Sequence, residues 1–378
     1  MNPFERLCPA PPSWSLPWDA IPAAVPRLRE LPDGGAHTRS AAEALAGLAQ
    51  WRARPEPERV RVFAAVVLHD TGRTAEESAV VLRNTGRTAE ESAVVVHDSG
   101  RTAEESGRAR RGEHYARRLL WETGAPIAWR EHVAALVRHQ RLPFGALERT
   151  DLDRVAFRVS LLARNDDLAL VATADALGRD GGERDAGEVA LFVEYTREIG
   201  CLDGPRAFAS DHARFEYFRH PGRDPGYAAF DDTRTTVTVM SGLPGAGKDH
   251  WIAANRPGVA VVSLDDLRDE LGVRPTGDQG PVVAAAYERA RAHLRSGTPY
   301  VWNATNVTRA LRSRCIGLAA GYRARIEVVS VEAPPDVVHR RNRARAAPVP
   351  AGVIDRMAAR WEPPDPTEAH EVRWVRND

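Results

Sequence analysis

Residues Val237 to Asp249 (VTVMSGLPGAGKD) carry an apolar strand straight into a glycine-rich turn that ends in lysine. Gly242, Gly245 and Gly247 let the backbone turn tightly, so that successive N–H groups and the start of the next helix converge where phosphate oxygens can sit. The run Gly242, Leu243, Pro244, Gly245, Ala246, Gly247, Lys248, Asp249 therefore reads as a P-loop, with Lys248 reaching the β- and γ-phosphates of ATP or another nucleoside triphosphate. Of the 52 lysine and arginine residues, Lys248 alone is lysine. A forked guanidinium does not replace a compact ammonium threaded into a phosphate cradle. Asp249 stands where a hydroxyl usually ligates Mg²⁺, and a carboxylate can hold that ion directly or through water.

At 378 residues the chain exceeds the size at which one core stops growing, so two domains are expected. The formal net charge is zero, so any affinity for nucleic acid has to come from local arginine patches. Cys8, Cys201 and Cys315 are too few and too scattered for a disulfide framework or a zinc ribbon, which fits a reducing cytoplasm. No export signal or apolar run of membrane-spanning length is visible, so no membrane partner is expected.

Along the chain, residues 1–36 are rich in proline and tryptophan and read as a lead-in with one short helix around Trp18 to Leu28. From Thr38, Ala41, Leu45 and Leu48 recur at helical spacing, and Glu58 to Leu68 repeats the pattern with Val60, Phe63 and Val67. Helical periodicity returns in Tyr115–Glu122, Trp129–His139, Arg154–Ala163 and Asp167–Leu177, so 37–218 is expected to be all-α. The polar Pro/Gly stretch 219–233 reads as a linker. Beyond it, 234–378 alternates short apolar strands (Thr236–Met240, Val259–Ser263, Pro299–Trp302, Arg325–Val331) with helices, as a parallel sheet covered on both faces requires. The chain places its polar residues after these strands: the P-loop, then Asp265-Asp266-Leu-Arg268, then Asn303 to Asn306. Ligands bind at those ends in open sheets. Asp265 also suits the N-cap of the next helix, and Asn306 is placed to order the P-loop or the nucleotide. Arg340, Arg341, Arg343 and Arg345 follow the fourth strand, with Arg341 and Arg345 four apart on one face.

Three nearly identical 14-residue units, 66–79, 80–93 and 94–107, interrupt the helical half. Near-identity at so short a period indicates tandem duplication rather than a solenoid, with about 28 residues surplus. His69-Asp70 and His97-Asp98 recur in the first and third units, while the second reads Arg83-Asn84. Only the first follows a strong apolar helix, so His69 and Asp70 are the preferred pair and His97 and Asp98 the alternative. With His37 at one helix start and the distant Asp175, that pair resembles the metal quartet of the HD phosphohydrolase superfamily. Imidazole and carboxylate ligands suit Mn, Fe, Ni, Co or Zn. Gly72-Arg73 is similar to that superfamily's HDxGK form and keeps a positive charge for a substrate phosphate. His139 is either a further metal or phosphate contact or a helix-end residue, and His132 is expected at the surface.

Taken whole, the chain resembles the bacterial fusion family in which an HD phosphohydrolase precedes a polynucleotide kinase. The likeness covers PWDAI, VVLHDTGR, ARRLLWETGAPIAWREHVAALVRHQRLPF, SLLARNDDLALVATADALGRD, SGLPGAGKD and the arginine-rich close. It implies a multidomain fold, with an N-terminal all-α HD domain and a C-terminal α/β P-loop kinase domain built on a parallel sheet. It also implies an RNA end-healing enzyme. The kinase half phosphorylates 5′-hydroxyl ends of RNA or DNA using ATP and Mg²⁺, and the HD half removes 2′,3′-cyclic, 2′- or 3′-phosphates, in a pathway that ends with an RNA ligase. By this resemblance Asp265 is the general base, Arg268 holds an acceptor phosphate, and Arg341 and Arg345 form a lid over the transferred phosphate beside Lys248. Arg108 falls where the family places a histidine, which points to fewer metal ligands or an impaired HD half. A nucleotide or metabolite kinase fused to a nucleotide-hydrolysing HD domain is the alternative, disfavoured because an arginine for an acceptor phosphate is wasted on an unphosphorylated metabolite.

Overall fold

The computed structural model describes residues 2–73, 103–179, 181–274, 276–345 and 347–378, and divides the chain into two compact units, Met1–Ala207 and Phe208–Asp378. No helix among the described residues is long and apolar enough to cross a membrane.

The first unit is helical throughout its described residues. Its main helices are α1 (Ala36–Gly47), α2 (Glu56–Leu68), α3 (Ala103–Glu122), α4 (Ile127–His139), α5 (Leu152–Ser160), α6 (Asn165–Leu177) and α7 (Glu183–Glu198). The apolar faces read from the sequence point inward: Leu45, Phe63, Val67, Leu136 and Val171 are fully buried in one cluster. Each such side chain contributes roughly 1.5–3 kcal/mol relative to exposure. Helices α1, α2, α4 and α6 pack on one another, which brings the start of α1, the end of α2 and the end of α6 together.

Several expectations need correcting. Residues 1–36 are part of the core rather than a lead-in, because Phe4, Ile21, Val25 and Leu28 are fully buried in it. Leu48 does not extend the first helix: its extended backbone ends α1 and starts a separate turn over Ala49–Arg52. Helix α7, carrying Gly187 within it, escaped the periodicity reading. His132 is buried, and its Nε2 lies 2.9 Å from Asp167 on α6. Residues 74–102, which include the second repeat unit and the His97-Asp98 pair, lie outside the described residues.

The second unit begins earlier than the Pro/Gly stretch, since helix α8 (Asp211–Arg219) belongs to it and buries Phe215 beneath the sheet. Five strands follow: β1 (Thr235–Ser241), β2 (Ala260–Ser263), β3 (Tyr300–Asn303), β4 (Ala324–Glu332) and β5 (Glu371–Arg376). They form one sheet in the order β2-β3-β1-β4-β5, every pairing parallel. β1 and β4 are buried almost along their whole length, which is why they read as continuous apolar runs. β5 was not foreseen, because an edge strand of half-exposed, charged residues (EVRWVR) carries no such run. With β1 beside β3 and β3 beside β2, the segments leaving these three strands emerge as neighbours.

Candidate functional site

In the second unit the P-loop follows β1 and leads into α9 (Lys248–Asn255), whose N-cap is Gly247. Its three glycines have positive φ, 146° at Gly242, 83° at Gly245 and 101° at Gly247. A Cβ on Gly242 would stand 2.3 Å from the Val331 carbonyl oxygen, and one on Gly245 2.6 Å from that of Val338. Glycine is therefore fixed here by both conformation and close approach. Lys248 Nζ donates to the carbonyls of Gly242 at 3.0 Å and Leu243 at 3.2 Å, which holds the ammonium inside the turn. Loss of hydration, opposed by Asp249 and Asp265, draws its pKa down to about 8.

The loop is braced from β3. Asn303 Nδ2 donates to Asp249 Oδ1 at 2.7 Å, which orients the carboxylate that replaces the usual hydroxyl. Asn306 is buried, with φ at 42°, and donates to the Met240 carbonyl at 2.9 Å, while its own carbonyl accepts from Ser241 Oγ. Asn306 thus orders the strand end beneath the loop and does not line the phosphate cleft.

Asp265 lies in the first turn of α10 (Leu264–Leu271). Ser263, not Asp265, caps that helix: its Oγ accepts from the Asp266 N–H at 3.2 Å. Asp265 is left free to project, and its carboxylate pairs with Arg268 on the same helix and with Arg345 Nη2 at 3.3 Å. Arg268 is steadied in turn by Gln279, whose Oε1 accepts from its Nε at 2.7 Å.

Arg341 and Arg345 come from the segment after β4. Helix α11 (Pro335–Arg343) ends before Arg345, so the two arginines do not share a helical face; Arg345 is carried by the turn that follows. Asn342 stitches that turn by bonding both the N–H and the carbonyl of Val349. Both arginines nonetheless line one cleft of about 510 Å³ with Gly245, Gly247, Lys248 and Asp249. Arg340 pairs with Asp336 at the exposed side of the helix and is not in that cleft.

In the first unit, His37 sits at the start of α1, where Asp33 accepts from the N–H groups of Gly35 and His37 and fixes the turn. His69 and Asp70 follow α2 directly, and Asp175 lies near the end of α6. Ligand atoms of His37, His69 and Asp70 all fall within 4.8 Å of one another. Asp175 Oδ1 is 2.8 Å from His37 Nε2 and 3.2 Å from His69 Nε2. His69 Nδ1 donates to the Val66 carbonyl at 2.6 Å, which turns Nε2 towards the cluster, and there Nε2 is buried without a hydrogen-bond partner. An orphaned imidazole nitrogen facing two carboxylates and a second imidazole is the donor set a divalent transition metal takes. Burial opposes a charge on His69, but Asp70 and Asp175 outweigh it and raise its pKa to about 9. Burial likewise favours neutral Asp175, yet the hydrogen bond from His37, the closeness of His69 and the charge of Arg179 hold its carboxyl far below the usual range.

His139 is not one of the grouped donors. Its neighbour Gln140 holds the site instead, donating to the His69 carbonyl at 2.6 Å. Three arginines missed as a set surround the cluster. Arg73 bonds Asp70 at 3.0 Å, Arg141 lies 3.4 Å from Asp175, and Arg179 holds both oxygens of Asp175 from one turn later. The i,i+4 spacing of Asp175 and Arg179 was the available signal. These side chains, with Arg108, line a cavity of about 510 Å³ over the cluster. Helix α3 presses on the first repeat unit so closely that a Cβ on Gly72 would meet the Arg108 carbonyl oxygen at 2.1 Å.

Residues 237–364 match the family model of the AAA domain. That span runs from β1 past the arginine-bearing segment and fits a P-loop, kinase-like nucleotide-binding domain, for which ATP or another nucleoside triphosphate with Mg²⁺ is the expected ligand. β5 and the residues after it lie beyond the match. No curated protein matches the chain.

Proposed function

We propose that the protein heals broken nucleic-acid ends, phosphorylating 5′-hydroxyl termini in its second unit and removing 2′,3′-cyclic, 2′- or 3′-phosphates in its first. The observation that carries the reading is the position of Asp265. A carboxylate held by Arg268 and Arg345 stands beside a cleft that also holds Lys248, so a proton acceptor and a phosphate grip share one place.

Phosphoryl transfer asks chiefly for in-line positioning and charge neutralisation. Lys248 and the loop N–H groups hold the β- and γ-phosphates. Asp265 takes the proton of the acceptor hydroxyl as its oxygen bonds to the γ-phosphorus and the bond to the β-bridging oxygen breaks, releasing the nucleoside diphosphate. Arg341 and Arg345 balance the charge on the moving group, and Arg268 receives a phosphate of the acceptor, which supports a polymer over a simple alcohol. Bound Mg²⁺ would neutralise phosphate charge, and Asp249, held by Asn303, is the side chain that would hold it.

In the first unit His37, His69, Asp70 and Asp175 would hold a transition metal, which brings the pKa of bound water towards neutrality. Arg73, Arg141 and Arg179 surround that place with positive charge suited to a phosphate ester. Transfer from labelled ATP to a 5′-hydroxyl oligonucleotide, a 3′-nucleotide and simple alcohols tests the kinase reading. Phosphorylation of the oligonucleotide supports it, transfer to small acceptors alone makes the protein a metabolite kinase, and no transfer removes the activity. Release of phosphate from 3′-phosphate and 2′,3′-cyclic ends with added Mn²⁺, Ni²⁺ or Co²⁺ tests the other half.

A further inference from the structure

The residues that follow β5 are built into the P-loop. Asn377 extends the parallel ladder by one step, its N–H donating to the Glu332 carbonyl at 2.8 Å, and is so delivered to the carboxyl end of the sheet. There its Nδ2 donates to the Ala246 carbonyl at 3.1 Å, inside the phosphate loop. A Cβ on Gly247 would stand 1.8 Å from that nitrogen, so the Asn377 amide occupies the space that only glycine leaves open. From the other side, Arg341 donates through Nη1 to the Asn377 carbonyl at 2.9 Å and through Nη2 to the main-chain oxygen of Asp378 at 3.0 Å. These contacts fix the orientation of the guanidinium, and Arg341 still lines the cleft.

We infer that Asn377 is a positioning residue of the phosphate site: its side chain sets the Ala246–Gly247 turn, and its backbone with that of Asp378 presents Arg341 to the phosphates. The role rests on the kinase reading of the second unit, but it also governs nucleotide binding alone, and it places part of the site beyond the span matched by the AAA domain. Preorganised charge of this kind acts most strongly where it needs no rearrangement on binding.

The test uses the full chain, a chain ending at Arg376, and Asn377→Ala, Asn377→Gln and Arg341→Ala variants, with the truncation also made in the Arg341→Ala background. The truncation is expected to raise the KM for ATP and lower kcat by about tenfold each, less than the roughly 10²–10³-fold cost of removing a direct donor because the tail acts through Arg341. Asn377→Ala keeps the carbonyl that holds Arg341, so it raises KM while leaving kcat within about threefold, and Asn377→Gln restores part of the loss. Because the tail acts on turnover through Arg341, truncating the Arg341→Ala protein costs less than about threefold further in kcat. Independent multiplication of the two effects, or a truncated chain within about twofold of the full one in both constants, overturns the inference. If the full chain transfers no phosphate, the kinase reading fails, and the affinity for Mg²⁺-free ATP decides alone. Equal dissociation constants for the full and truncated chains reject the role, and weaker binding by the truncated chain with an unchanged melting temperature upholds it.

Discussion

Arg345 Nη2 stands 3.3 Å from Asp265 Oδ2, joining the turn after α11 to the first turn of α10 beside the P-loop cleft. Eighty residues separate the two in sequence. Their contact sets a carboxylate against one of the two arginines that line the cleft with Lys248.

Replacing Asp265 by asparagine keeps the shape and removes the proton acceptor. The kcat for a 5′-hydroxyl oligonucleotide is expected to fall by about 10²–10⁴-fold, the usual contribution of a general base. ATP affinity, measured by titration calorimetry, is expected to stay nearly constant. A matching loss of ATP affinity would show that Asp265 serves the donor instead.

Lys248, with its pKa drawn down to about 8, predicts proton uptake when a polyphosphate binds. An anion favours the charged amine, so above pH 8 the loop takes up a proton with the nucleotide, and ATP affinity declines as pH rises further. Calorimetry in two buffers of different ionisation heat reads that proton directly. Lys248→Arg is expected to lose most ATP binding, since the fork does not fit where the ammonium touches the Gly242 and Leu243 carbonyls.

Much of this site was legible because glycine spacing and apolar strands are local properties. β1, the loop, Asp265 and the arginine-bearing segment all follow from runs of a few residues. Asn377 and Asn303 were not assigned roles, because their partners lie across the sheet and only the strand order shows which loops become neighbours. His132 was misread for a related reason. Its helix has an apolar face, but burial on the other face depends on Asp167, which arrives from α6 to pair with it. The edge strand β5 carried too little apolar surface to announce itself, and the buried helices of residues 1–36 are too short for periodicity to register.

In the first unit, metal content measured by mass spectrometry is expected to fall well below that of the unaltered protein in His69→Ala and in Asp175→Ala. His97→Ala is expected to retain it, because His69 and Asp70 are the pair joined to His37 and Asp175. Arg179→Ala should keep the metal and weaken the substrate, raising KM for a phosphate ester. Equal metal loss in His97→Ala would move the site to the third repeat unit.

Stability of the second unit is expected to depend on pH through His370, which lies almost wholly buried beneath β4. Its Nδ1 accepts from the Ile326 N–H at 3.0 Å and its ring stacks on His212, with Nε2 3.0 Å from His212 Nδ1. That arrangement needs a neutral ring, and burial, with the neighbouring His212, pushes the pKa from 6.5 down to about 4. Between those values the unfolded chain binds a proton that the folded chain refuses, so stability is present above pH 6.5 and falls as the pH drops towards 4. The linked change is on the order of 2–3 kcal/mol. Denaturant unfolding followed from pH 7 to pH 4 measures it, and His370→Asn, which cannot be protonated, is expected to start less stable and to show a flatter profile. An equally steep decline in that variant would assign the acid sensitivity to other groups.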